Sequence, residues 1–138
     1  MSATLITAVA RTARPWSALR RFLALDALVT GANGLAYALF PAPLGRLLGV
    51  EEGLLCELGV LLAVYAAAVG LLSSRERPAP AGVGAVVGVN TAWAVLSLAA
   101  LVLYFEPTTA GVVWIPLQAL TVAGFAALQA LALRSTTD

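Results

Sequence analysis

The sequence predicts an all-α fold, an antiparallel bundle of four transmembrane helices that takes up residues 1–138 as a single membrane domain. Hydrophobic residues make up 61% of the chain and charged residues only 11%. A soluble domain carries about 25% charged residues, so this chain could not cover its own surface in water. Four apolar stretches, Leu19–Phe40, Leu54–Leu72, Gly82–Phe105 and Gly111–Leu133, each approach the roughly 20 residues that cross the hydrocarbon. They are continuously apolar rather than alternating, which selects helices over barrel strands.

Two readings fit residues 2–14. One is a short interfacial helix with Leu5, Ile6 and Val9 on one face and Arg11 and Arg14 near the headgroups; the other is a frayed tail. Pro15 interrupts either, and Trp16 suits an interfacial anchor. The first long helix is expected to stop before Pro41-Ala42-Pro43, where proline favours extended geometry. Pro43–Val50 is apolar apart from Arg46 and is expected to lie along the interface. Glu51 and Glu52 favour the start of the second long helix, where the macrodipole is positive. Ser73–Pro80 and Glu106–Ala110 read as turns. Connections this short predict that consecutive helices are antiparallel neighbours. Ala36-Tyr37-Ala38 resembles a signal-cleavage site, but Asp26 and Asn33 interrupt the apolar run before it. The first stretch is therefore expected to be retained.

Basic residues set the expected orientation. With alternating helices, Arg11, Arg14, Arg20, Arg21, Arg75, Arg77 and Arg134 share one side, and only Arg46 falls on the other. That predicts a multi-pass protein with both termini in the cytoplasm. Arginine without lysine, in a chain rich in Ala, Leu, Val and Gly, points to a GC-rich bacterial source and hence to the cytoplasmic (inner) membrane.

The net charge of +1 gives no case for nucleic acid. The absence of histidine removes bis-His haem, the usual zinc sites and imidazole acid–base chemistry. Cys56 is the one cysteine, so no intrachain disulfide can form. It sits beside Glu57 and lacks the electropositive setting that activates a thiolate. No catalytic residue, metal or cofactor is expected.

Polar side chains recur at helical spacing on these apolar helices. Asp26, Thr30, Asn33 and Tyr37 form one face of the first, and Trp114, Gln118, Thr121, Phe125 and Gln129 one face of the fourth. The third offers Asn90, Trp93, Ser97 and Tyr104, and the second Glu57 and Tyr65, with Glu57 near the interface, where the other reading is an exposed residue at a helix start. Polar groups facing lipid are costly, so the stripes are expected to converge inside the bundle as a ligand site or polar interior. Asp26 and Asn90 enter from the same side to similar depth, about 10–12 Å, and form a plausible hydrogen-bonded pair. Asp26 then belongs to a proton, ion or ligand site, or it fixes helix register through Asn90 or Thr91. Small-residue stripes lie on every helix, among them Ala27/Gly31, Gly59/Ala63/Ala67 and Ala119/Ala123/Ala127. Most are expected to pack within the bundle. Gly84, Gly88 and Ala92 are the candidate helix contact with another copy or another protein.

The Arg20-Arg21 start, the Gly31/Gly34 helix, the PAPLGRLLG segment at 41–49 and the loop bounded by Arg75 and Arg77 resemble the small four-helix bacterial membrane proteins grouped as DoxX-like, and actinobacterial proteins of this size. The resemblance implies a compact four-helix fold and no particular activity. The leading expectation is a non-enzymatic accessory or oligomeric module in the lipid bilayer, binding other membrane helices, lipid or an apolar small molecule, as a homo-oligomer or within a larger membrane complex. The alternative is a small oligomeric transporter or channel using the polar stripe. An enzyme acting on lipid or quinone ranks third.

Overall fold

The computed structural model describes residues 15–137; the segment 2–14 lies outside the described residues. The chain forms α1 (Pro15–Leu39), α2 (Pro41–Leu48), α3 (Glu52–Ser73), α4 (Pro80–Leu103) and α5 (Thr109–Thr137), with no strand among the described residues. The four long helices have 22 to 29 residues. At about 1.5 Å per residue each reaches past 30 Å, the thickness of the hydrocarbon. All four are long and apolar enough to cross a membrane. Their outward faces carry exposed leucine and valine, such as Leu28, Val64, Val102 and Leu120. In water those side chains would be a liability; in lipid they are the solvated surface.

The proline segment after α1 differs from expectation. Pro41-Ala42-Pro43 does not run extended but opens α2, with Pro at the first helical positions and Phe40 before it. Proline lacks only an N–H that a first turn leaves unused, and its fixed φ suits that turn. Gly49 ends α2 at φ 75 and donates its N–H to Gly45 O at 2.9 Å, a left-handed cap that glycine adopts without strain. A Cβ there would also lie 2.7 Å from both Glu106 O and Thr108 N. Thr108 N donates to Leu48 O at 3.3 Å and its hydroxyl donates to Leu47 O. Gly111 packs directly on the Leu48 carbonyl. The end of α2 is thus tied to the start of α5, across the end of the bundle away from the α3–α4 turn.

Glu51 caps α3 as expected of an acidic residue at a helix start. Its two carboxylate oxygens accept from Gly53 N and Leu54 N, each at 2.8 Å. The Leu54 and then the Gly53 N–H hold its carboxyl below the ordinary 4.5 of a glutamate. The cap therefore favours the folded helix start above the unfolded value and is lost as pH falls through the lowered one. The Gly53 and Leu54 amide resonances should shift with a midpoint below 4.5, and Glu51→Gln should abolish that step.

α1 packs most closely on α3, and α4 on α5, with α1 also meeting α5. The α1–α3 crossing is made by glycine. A Cβ on Gly34 would lie 2.7 Å from Ala63 N and 2.8 Å from Gly59 O, and one on Gly59 would lie 2.7 Å from Gly34 O and press on Ala38 N. Consecutive helices are not all neighbours, however. α3 and α4 barely meet along their length, although only Ser74–Ala79 joins them. A short connection fixes the joined ends alone. There Gly82 sits under Leu72; further along, α4 leans onto α5. The third long helix also stops earlier than expected, at Leu103 rather than Phe105. Tyr104 N and Phe105 N both donate to Ala100 O, at 2.9 and 2.8 Å, which closes its last turn.

Two apolar clusters fill the interior. Leu19, Leu23, Val69, Val83, Val86 and Ala132 form one at the arginine-rich end. Tyr37, Leu48, Val50, Leu55, Leu62 and Ile115 form the other at the α2 end. Between them lies a polar layer.

Candidate functional site

Asp26 lies at the centre of that layer, 1% exposed, with Asn90 at 3% and Gln129 at 0%. Asp26 Oδ2 accepts from Asn90 Nδ2 and from Gln129 Nε2, each at 2.7 Å. Its Oδ1 accepts from Thr30 Oγ1 one helical turn on, at 2.8 Å. Asn90 Nδ2 also donates to Gln129 Oε1 at 3.1 Å. Tyr65 supplies the remaining helix, donating its hydroxyl to Asn90 Oδ1 at 3.0 Å and to Val86 O at 3.3 Å. One network therefore joins all four long helices, and among the described residues no buried side-chain polar atom is left without a partner. The expected Asp26–Asn90 pair is present. Thr91 takes no part: it is exposed and donates to Val87 O on its own helix.

Above the network, toward α2, lies a cavity of about 560 Å³. Thr30, Tyr65 and Asn90 form its floor, and Trp93, Trp114 and Gln118 its upper wall. These upper groups also pair. Trp93 Nε1 donates to Gln118 Oε1 at 2.9 Å, and Gln118 Nε2 donates to Ile115 O at 3.0 Å. Trp114 Nε1 donates to the Tyr37 hydroxyl at 2.6 Å. Between α1 and α5 the wall consists of Val29, Ala32, Leu117 and Thr121, all exposed, so the cavity opens sideways where lipid would lie. A second space of about 620 Å³ continues under α2 and shares Asn33, Ala36, Trp114 and Leu117 with the first. A third of about 300 Å³ occupies the gap left between α3 and α4 and meets the first at Trp93 and Gln118. Among the described residues no Asp, Glu or Arg lines any of the three. Their size and largely apolar walls with a few convergent polar groups are those of a small-molecule site.

The structure thus brings Asp26, Thr30, Tyr65, Asn90 and Gln129 into one cluster and Trp93 and Gln118 into the wall above it, with Tyr37 lining the second and third spaces. Asn33 stands between the first two cavities. Thr121 reaches only the exposed mouth and donates to Leu117 O. Glu57 is a correction: it is exposed, not interior. Leu55, Gly59 and Leu62 face inward, and Glu57 lies about 200° from Leu55. Tyr104 likewise is 75% exposed at the end of α4. Among the described residues nothing lies within 4 Å of a Cβ placed on Gly84 or Gly88, and Ala92 is exposed beside them, so this stripe makes no close helix contact with them. The sequence reading missed the apolar walls, Ala36, Leu62 and Leu117 among them, because nothing marks an apolar residue as lining a space rather than filling one.

These features define the class: an integral membrane protein, an all-α bundle with a polar layer and a cavity in its interior. No family model, curated protein or solved structure matches the chain.

Proposed function

We propose that this protein is a non-enzymatic membrane module that holds an apolar, lipid-like molecule in the cavity above the Asp26 network. The carrying observation is the uncharged cavity of about 560 Å³, open sideways between α1 and α5. A guest dissolved in the bilayer could enter there without crossing water. The network below acts as a fixed floor that joins the four helices. We place the protein in the bacterial cytoplasmic membrane with the arginine-rich end inward, on the positive-inside distribution.

A transport path through the polar stripe is less well supported. Asp26 is 1% exposed and three side chains donate to it, so no route to it is open from the cavity.

Ala36 lines both the central cavity and the space under α2, and Ala36→Phe should fill their joint. Native mass spectrometry of wild-type protein, extracted gently from its own membrane, should find a retained lipid-like adduct. Ala36→Phe should lose it while keeping its helical spectrum. An adduct that survives in folded Ala36→Phe, or none in wild type, would refute the proposal.

A further inference from the structure

Asn33 stands in the common wall of the central cavity and the space under α2. A primary amide offers two N–H donors and two acceptor lone pairs. Among the described residues only the Tyr37 hydroxyl meets that of Asn33. The other polar side chains of the central cavity are engaged within the protein. Thr30 donates to Asp26, Asn90 serves Asp26, Gln129 and Tyr65, Trp93 donates to Gln118, which itself donates to Ile115 O, Trp114 donates to Tyr37, and Thr121 donates to its own helix. An amide with spare capacity in hydrocarbon is costly unless something pairs with it. Among the described residues no Asp, Glu or Arg lines either space, so a charged group entering them would find no counter-ion there.

We propose that the occupant is a neutral hydrocarbon-chain molecule bearing one hydroxyl or carbonyl oxygen, and that Asn33 recognises that oxygen at the joint of the two cavities. This rests on the cavity reading above. The spaces of about 560 and 620 Å³ leave room for chain on both sides of the amide. Straight acyl-derived chains and branched isoprenoid chains share this chemistry.

The tryptophans supply the readout. Trp93 and Trp114 line the central cavity, whereas Trp16 packs against the Leu19 cluster. A Trp16→Phe protein therefore reports the cavity alone. It would be placed in nanodiscs and titrated with 9,10-dibromooctadecanol and, separately, 9,10-dibromooctadecane, with Ala36→Phe giving the quenching from surrounding lipid. The alcohol should quench at a roughly fivefold lower mole fraction than the alkane, the ratio expected of one net hydrogen bond. Asn33→Leu should abolish the difference, and Asn33→Gln, which keeps the amide, should retain part of it. Brominated phytol run beside its hydrocarbon shows whether branched or straight chains fit better, and a preference for either alcohol supports the proposal. A preference undiminished in Asn33→Leu overturns the role of Asn33 and leaves the cavity reading standing. Quenching no greater than in Ala36→Phe overturns both.

Discussion

Gly59→Ala is expected to cost about 2–3 kcal/mol of bundle stability, at the upper end for one methyl group added to a packed interior. The new Cβ would lie 2.7 Å from Gly34 O and 2.8 Å from Tyr37 Cβ, and would press on Ala38 N. Two of these neighbours are backbone atoms, which no rotamer change can move. α1 and α3 would have to separate at their closest point, and dispersion contacts along the crossing would weaken with them. Reversible unfolding in mixed micelles measures the loss. Gly84→Ala is the matched control. Among the described residues nothing lies within 4 Å of its Cβ, so this change should be neutral or stabilise by up to about 1 kcal/mol through helix propensity. Equal effects at the two sites would contradict the glycine crossing.

Removing the hub of the polar layer should cost about 2–4 kcal/mol. Asp26→Ala takes away three hydrogen bonds at once. It leaves a buried donor on Gln129 with no acceptor and leaves the Asn90 Nδ2 group with Gln129 Oε1 as its one acceptor, while Tyr65 still donates to Asn90 Oδ1. A single polar contact between membrane helices averages about 0.6 kcal/mol, reaching about 1.7. A stranded buried donor adds about 1–3 kcal/mol. Asp26→Asn should be milder, because its one oxygen can still accept from Asn90 and Gln129, which already share Oδ2, while its NH₂ can donate to the Thr30 hydroxyl, which accepts as well as donates. Its cost should fall below that of Asp26→Ala. Unfolding in mixed micelles again gives the magnitude, and Asn90→Leu measured alone and with Asp26→Ala gives the coupling. Additive effects would show that the network is not a unit.

The four spans and the polar layer were legible because each rests on a strong local signal. A charge or amide in a 20-residue apolar run has few places to go, and equal depth put Asp26 opposite Asn90. Gln129 followed from its place on the stripe. Glu57 misled because eight residues turn a helix about 80° beyond two full turns, so it does not share the face of Tyr65. α2 was missed because proline reads as a stop, whereas at a first turn it is a start. The separation of α3 from α4 was illegible because loop length constrains two ends and says nothing of the path between. The Gly34–Gly59 crossing is one of several small-residue stripes in an alanine-rich chain. Only the assembled rotation of the helices selects it over Gly84 and Gly88.

What the central cavity contains is open to direct test, because Cys56 is the one cysteine. In a Cys56→Ser, Ala36→Cys protein the introduced thiol would face the joint of two cavities. Its labelling in membranes would be timed with a charged methanethiosulfonate and with an apolar maleimide, beside a Glu57→Cys protein as the exposed reference. A lipid-filled cavity predicts reaction with the apolar reagent and almost none with the charged one. Charged-reagent labelling at Ala36→Cys as fast as at Glu57→Cys would mean a water-filled path, and would contradict the account.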